Sequence, residues 1–348
     1  MWFGTQEGLN RYDGYAFTVY KHDPIDPNSL SNDSVWALHE DSTGSVWVGT
    51  DGGGLDRWNR KTETFTHFRN DPNDAASLAN DRVRVIYETR DGLLWIGTDG
   101  GLNRFYRGRE AFGRLFHDGA AQIHRVRSIT EDQAGSLWIG TDGEGLIRFD
   151  RSRGTVKAYR HAENNVRSLS HDRVRTVFED RYGVVWIGTY EGGLNRFDRN
   201  TETFDRFLHD PRNPGSLSEN RVRAIAQDKA GVLWVGTGGG LDEWRPDREG
   251  FVSYRHNASD PASLSDNRVM SIYQDRGGVF WVGTQGGGVN KWNTATVSFA
   301  LFRVDPSEPS TLASNAITAF ATDKDVILWI GTYEGLNRLD RKTGTFKI

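Results

Sequence analysis

A chain of 348 residues with 43 basic and 47 acidic side chains, a net charge of −4 and no cysteine has no basic stripe of the kind nucleic acid requires, and neither disulfide nor thiol chemistry is open to it. Its longest run of large apolar residues, about Val326 to Ile330, falls far short of the roughly 20 that a membrane-spanning helix needs. Forty glycines and 12% aromatics, with two methionines, favour many short strands joined by turns over packed helices.

The chain opens on Trp2-Phe3-Gly4-Thr5, and the same frame returns at Trp47, Trp95, Trp138, Trp186, Trp234, Trp281 and Trp329, with spacings of 43 to 48 residues. Self-similarity at that period marks a repeat architecture, so the chain reads as one array, 1–348, rather than as several domains. The units cover about 1–22, 33–71, 81–118, 124–162, 172–210, 220–257, 267–305 and 315–348. The first supplies a second strand (Trp2 to Thr5), a third (Gly8 to Asp13) and a fourth (Phe17 to His22), without a first strand. Seven first strands follow, starting near Val35, Val83, Val126, Val174, Val222, Val269 and Ile317, and the last strand, TFKI, stops at Ile348. Both ends read as cuts inside a repeat, so a longer parent protein is expected.

The unit from Asn220 to Asp260 shows the pattern. RVRAIAQD alternates apolar and polar residues and closes at DKAG, whose Gly231 suits a turn position of positive φ. VLWVGT is a second strand, GGGLDEW a glycine turn and third strand, and FVSYRH a fourth. NASDPASLSDN, made of turn-forming residues, leads to the next unit. Four short antiparallel strands at this period predict an all-β fold, a β-propeller of four-stranded blades with all eight units in one ring. The alternative is a seven-bladed ring with the incomplete first unit displaced.

Both faces of a propeller blade are buried, so the tryptophan offers a flat surface to the adjacent sheet and the glycine two residues on lets that sheet approach. Gly44, Gly92, Gly135, Gly183, Gly231 and Gly278 stand three residues before a slot tryptophan, as a fixed hairpin requires, while the last unit has Val326 there. Features present in every unit are read as structural. His22, His117, His161, His209 and His256 share one slot at the end of the fourth strand, one per unit, which spreads them around a rim instead of gathering them on a metal.

Strand order places the second-to-third turns and the long fourth-to-first loops on one face, the upper face, and long loops on a rigid ring are where binding resides. The recurring DPxDxxSLS segment is expected to pin blade to blade. The informative positions are those that differ between units. After Gly-Thr come Gln6-Glu7, Asp51, Asp99, Asp142, Tyr190-Glu191, Gly238, Gln285 and Tyr333-Glu334; at the entrance of the first strand stand Trp36, Arg84, Arg127, Arg175, Arg223, Met270 and Thr318. Arginine forks, carboxylates and tyrosines around a funnel suit a polyhydroxylated or anionic sugar. The candidate ligand-binding residues are therefore Tyr190, Glu191, Tyr333, Glu334, Trp36, Arg84, Arg127, Arg175, Arg223, Asp142 and Gln285. Two competing readings stand beside this one: each arginine pairs with an acidic residue of the adjacent blade, and each tyrosine packs over its own loop. No cofactor is called for. The Ser-Leu-Ser frames lack a paired histidine and a nucleophile turn, so catalysis as a polysaccharide lyase or hydrolase is an alternative resting on the fold, and a protein-interaction platform is a third reading.

The segment WFGTQEGLNRYDGYAFTVYKHDPIDPNSLSND, followed by repeated VRxIxED and LWIGTxxGLNRFD, resembles the two-component regulator propeller repeats over essentially the whole chain. The resemblance implies the periplasmic sensor domain of a hybrid histidine kinase, with an oligosaccharide or other nutrient as its signal. It further implies a second propeller, or a second copy of this chain, as partner, and a membrane reached only through other parts of the parent protein.

Overall fold

The structure, a computed structural model, describes residues 20–115, 123–274, 278–288 and 290–292 with their side chains, together with Leu9, Asn315, Ile317 and Ile330, and the backbone of the remaining strands. Six blades of four antiparallel strands follow one another: blade A (35–68), B (83–115), C (126–159), D (174–207), E (222–254) and F (269–302). Within each blade the strands bond to one another in chain order. First strands of successive blades lie side by side, which places them innermost and the fourth strands at the rim. All seven expected first-strand starts, from Val35 to Ile317, begin strands.

The count of full blades is corrected by the end units. Six full blades are described, and the end units add a three-stranded sheet and a four-stranded sheet that closes on a two-residue strand, where the repeats predict seven complete units and one without its first strand. The physical reason lies in the strands themselves. The first unit has only Trp2–Thr5, Gly8–Tyr12 and Phe17–Tyr20, a three-stranded sheet, and the last closes its sheet with the two-residue strand Phe346–Lys347. Strand Trp2–Thr5 lies beside Val35–Glu40 on one side and beside Ile317–Asp323 and Ile327–Thr332 on the other. The side chains of Trp2 and Trp329 are outside the described residues.

Blade packing follows from the repeated frame. Trp47, Trp95, Trp138, Trp186, Trp234 and Trp281 are at most 3% exposed. Each of four packs on the third-strand aromatic of the following blade: Trp47 on Phe105 at 4.8 Å between ring centres, Trp138 on Phe197 at 4.9 Å, Trp186 on Trp244 at 5.5 Å and Trp234 on Trp292 at 4.1 Å. The glycine beside it is a close approach, since a Cβ on Gly97 would come within 2.5 Å of Cγ1 of Val126 in the next blade. A buried aspartate six residues before the tryptophan accepts its indole N–H: Asp41 for Trp47 (2.7 Å), Asp132 for Trp138 (2.9 Å), Asp180 for Trp186 (2.9 Å) and Asp228 for Trp234 (3.1 Å).

The repeated Ser, Thr and His residues are pins. In blade E the Ser218 hydroxyl lies 2.6 Å from Thr237 Oγ1 and donates to Asp242, whose carboxyl burial pushes above its usual range. Nδ1 of His22, His161, His209 and His256 each meets the carbonyl of a leucine eight residues on, which closes the long loop. His117 is outside the described residues. The histidine slot therefore ties each fourth strand to the loop that follows it.

Candidate functional site at the upper mouth

Every first strand carries a bulge at its second residue. In blade B Val83 pairs with Thr98 and Val85 with Gly97, which leaves Arg84 over. The same register shift isolates Trp36, Arg127, Arg175, Arg223 and Met270. A bulge re-aims a side chain, and here it brings the slot residues to those that follow Gly-Thr.

From blade A to blade C the result is an alternating belt. Arg84 holds Asp99 through two bonds, Nε to Oδ1 at 3.2 Å and Nη2 to Oδ2 at 3.1 Å, and reaches Asp51 at 3.1 Å. Arg127 spans Asp99 (3.0 Å) and Asp142 (2.9 Å). Arg84 and Arg127 thus realise the pairing reading, with side chains 9% and 15% exposed. Asp142 also accepts from Arg173 Nε at 2.7 Å. Burial pushes the Asp142 carboxyl up, but the bonds from Arg173 and Arg127 outweigh it and hold the pKa at about 2. Asp99 is likewise held below the usual carboxylate range, with burial opposed by Arg84.

The alternation stops at blade D, where Gly-Thr is followed by Tyr190. Its ring lies against three guanidinium groups, those of Arg173 at 4.0 Å, Arg175 at 4.8 Å and Arg221 at 4.9 Å. Arg175 has one carboxylate nearby, Asp142 at 3.9 Å. Burial lowers the Arg175 pKa; Asp142 opposes this, while Arg127, Arg173 and Arg223 push it down further. In blade E the position after Gly-Thr is Gly238, which brings no charge. This sector concentrates cations around one aromatic ring.

Of the remaining candidates, Glu191 adjoins the cluster, and its charge acts on Arg173. Trp36 is half exposed, donates to Ser34 Oγ at 3.0 Å and lies under Arg84 at 3.8 Å. Glu191 is exposed, Gln285 is part-buried with its backbone N–H on the carbonyl of Arg268, and Tyr333 and Glu334 are outside the described residues. Sequence reading missed Arg173 and Arg221, two residues before the slot. The signal was present, because Arg82, Arg125, Arg173, Arg221 and Arg268 recur at that offset in successive units.

With the geometry in place, comparison identifies the family. The model of the two-component regulator propeller matches six times, at residues 29–52, 77–100, 122–143, 168–191, 216–239 and 263–286, each spanning the end of a long loop, the first two strands and the turn that follows. The chain belongs to the two-component regulator propeller family. Among solved structures it is similar to an extracellular domain from B. thetaiotaomicron described as part of a one component system, at 24% identity and TM-score 0.53 over 99% of this chain and 46% of that one. A second extracellular domain from the same organism, described as part of a hybrid two component system, shows 22% identity and TM-score 0.51 over 100% and 56%. The chain thus spans about half the length of these relatives. Virginiamycin B lyase from Staphylococcus aureus shares the fold at 12% identity and TM-score 0.59 over 90% and 94%. No curated protein matches in sequence.

Proposed function

We propose that this propeller is the extracytoplasmic, periplasmic ligand-binding sensor domain of a two-component signalling protein, that it closes as a ring of eight units, and that it takes an oligosaccharide at the blade D–E sector of its upper mouth. The observation that carries the site is the break in the belt at Tyr190, where Arg173, Arg175 and Arg221 surround an aromatic ring that stands in place of the aspartate of blades A to C. A ring of near-identical blades offers an asymmetric ligand no unique seat, and this break supplies one. Guanidinium forks bind vicinal hydroxyls or acidic groups in pairs, and a tyrosine adds an apolar face with a polar tip. The sensor role is supported by the repeat family and by the extracellular domains that share the fold. Ring closure is supported by the seat of strand Trp2–Thr5 between the first strands of both flanking sheets.

A mixed oligosaccharide library, followed by melting temperature and by product analysis, tests the reading. A stabilising shift without turnover is expected, because a ligand that binds only the folded state raises its stability. Turnover would instead place the chain with the lyases, and no response would point to a protein partner. For any ligand found, Tyr190→Ala is expected to weaken binding by about tenfold, or about 1.4 kcal/mol.

A further inference from the structure

At the end of the blades opposite the mouth, the junction between blades B and C departs from the A–B, C–D and D–E junctions in four residues. The first is Thr89, which stands where Asp41, Asp132, Asp180 and Asp228 hold their tryptophans. Nε1 of Trp95 is consequently buried with no hydrogen-bond partner among the described residues. The second is Gly154. The equivalent residues Glu110, Glu202 and Glu249 reach a cation of the preceding blade: Glu110 meets Arg57 at 2.6 Å, Glu202 meets Lys157, and Glu249 meets Arg196 at 3.5 Å. Glycine has no carboxylate to send to Arg104. Among the described residues Arg104 forms no ion pair, its Nε is buried without an acceptor, and its guanidinium lies 4.9 Å from the ring centre of Tyr106.

The other two departures open the space. Gly113 faces Arg104 across the third and fourth strands, where Thr66, Lys157, Asp205 and Val252 stand in other blades. Tyr106, itself 40% exposed, lies across that glycine, since a Cβ there would come within 2.8 Å of its ring. Trp95 and Phe149 are 6.2 Å apart, wider than the 4.1 to 5.5 Å at the other junctions. A cleft of about 460 Å³ results, lined by Trp95, Arg104, Tyr106, Leu115 and Phe149 among others, and a neighbouring groove of about 560 Å³ shares Arg104 and Tyr106 with it. That volume lies within the range of small-ligand pockets, and a few polar groups on apolar and aromatic walls is their usual composition.

We propose that this cleft binds a carboxylate carried on a six-membered ring, with Arg104 receiving the carboxylate in place of the glutamate that Gly154 lacks and Tyr106 and Phe149 flanking the ring. The site is separate from the mouth and stands or falls independently of it. A guanidinium takes a carboxylate through two parallel hydrogen bonds, and the aromatic walls accept either an aromatic ring or the C–H face of a pyranose. The ring is therefore that of an aromatic acid or of a sugar acid, and the test separates them.

Benzoate and glucuronate are titrated calorimetrically into the whole chain, with benzyl alcohol and glucose as neutral counterparts. One acid is expected to bind saturably while its neutral counterpart does not, and the acid that binds names the ring. Arg104→Gln is expected to lower that affinity at least about tenfold. Gly154→Glu is the stricter variant. Gly154 has φ 67°, Glu110 and Glu202 adopt φ 48° and 54° at the same place, and a Cβ on Gly154 meets nothing within 4 Å, so the glutamate fits and supplies the missing partner. It is expected to abolish binding at an unchanged or higher melting temperature, and it decides the matter if Arg104→Gln fails to fold. Absence of saturable binding by either acid up to about 10 mM, a range covering weak specific sites, or unaltered binding in Gly154→Glu, would overturn the proposal.

Discussion

Between Trp36 and Asp142 the mouth alternates cation and carboxylate, with Arg84 set between Asp51 and Asp99 and Arg127 between Asp99 and Asp142. From Arg173 to Arg221, by contrast, three guanidinium groups crowd one tyrosine. The strands and the bulge are the same in both arcs, and from blade B to blade E so is the arginine in the slot. What differs is the one residue after Gly-Thr, an aspartate in blades A to C and a tyrosine in blade D. A repeated arginine is therefore structural or available according to its neighbour, and repetition of the arginine alone does not assign its role.

The largest effect should come from breaking the paired arc at its centre. Asp99→Ala leaves Arg84 and Arg127, both nearly buried, with one carboxylate each, and is expected to cost about 3 kcal/mol in denaturant unfolding. A comparable loss on truncating Tyr190 would erase the distinction between the arcs.

A smaller effect carries a pH signature. Asp142 has a folded pKa of about 2, below the roughly 3.9 of an unfolded aspartate. Because the folded value is depressed, its contribution of up to about 2 kcal/mol is complete above about pH 5 and is lost as pH falls through about 2. Asp142→Asn should thus be less stable than the parent at neutral pH, with the gap closing on acidification. A gap that stays constant down to pH 2 would mean that the charge is not what Asp142 contributes.

The smallest effect would sharpen the comparison by conversion. Tyr190→Asp recreates after blade D the residue that blades A to C carry, beside Arg173 and Arg175. It is expected to stabilise the fold by up to about 1 kcal/mol, a gain that fades in high salt, and to remove any ligand bound at the sector. Ligand affinity that survives Tyr190→Asp would move the binding site elsewhere on the ring.

The strand boundaries were legible because each blade repeats a local code. The period-two alternation, the hairpin glycine at Gly44 or Gly183 and the Trp-x-Gly-Thr frame act within a few residues of chain, so first strands were placed to the residue from Val35 to Ile317. The three strands of the first unit were legible from the same frame, whereas the pairing of the last strand, which is two residues long, was not. At the mouth, Tyr190 and Arg175 were found from their departure from the pattern or their slot. Arg173 and Arg221 were missed because the bulge, a tertiary feature of register, decides which side chains meet across blades.

By itself, then, the sequence determined the elements: where strands start, which tryptophans are buried, which loop segment pins blade to blade, and that the units form blades. These are consequences of periodicity and turn chemistry, which act locally. Only the tertiary structure decided the partners. Asp99 serves two arginines of different blades, and Arg57 finds Glu110 53 residues further along the chain while Arg104 finds Gly154 where a carboxylate would stand. Those pairings follow from how one blade is laid against the next, since charge and hydrogen bonding act over a few ångströms of space whatever the separation along the chain.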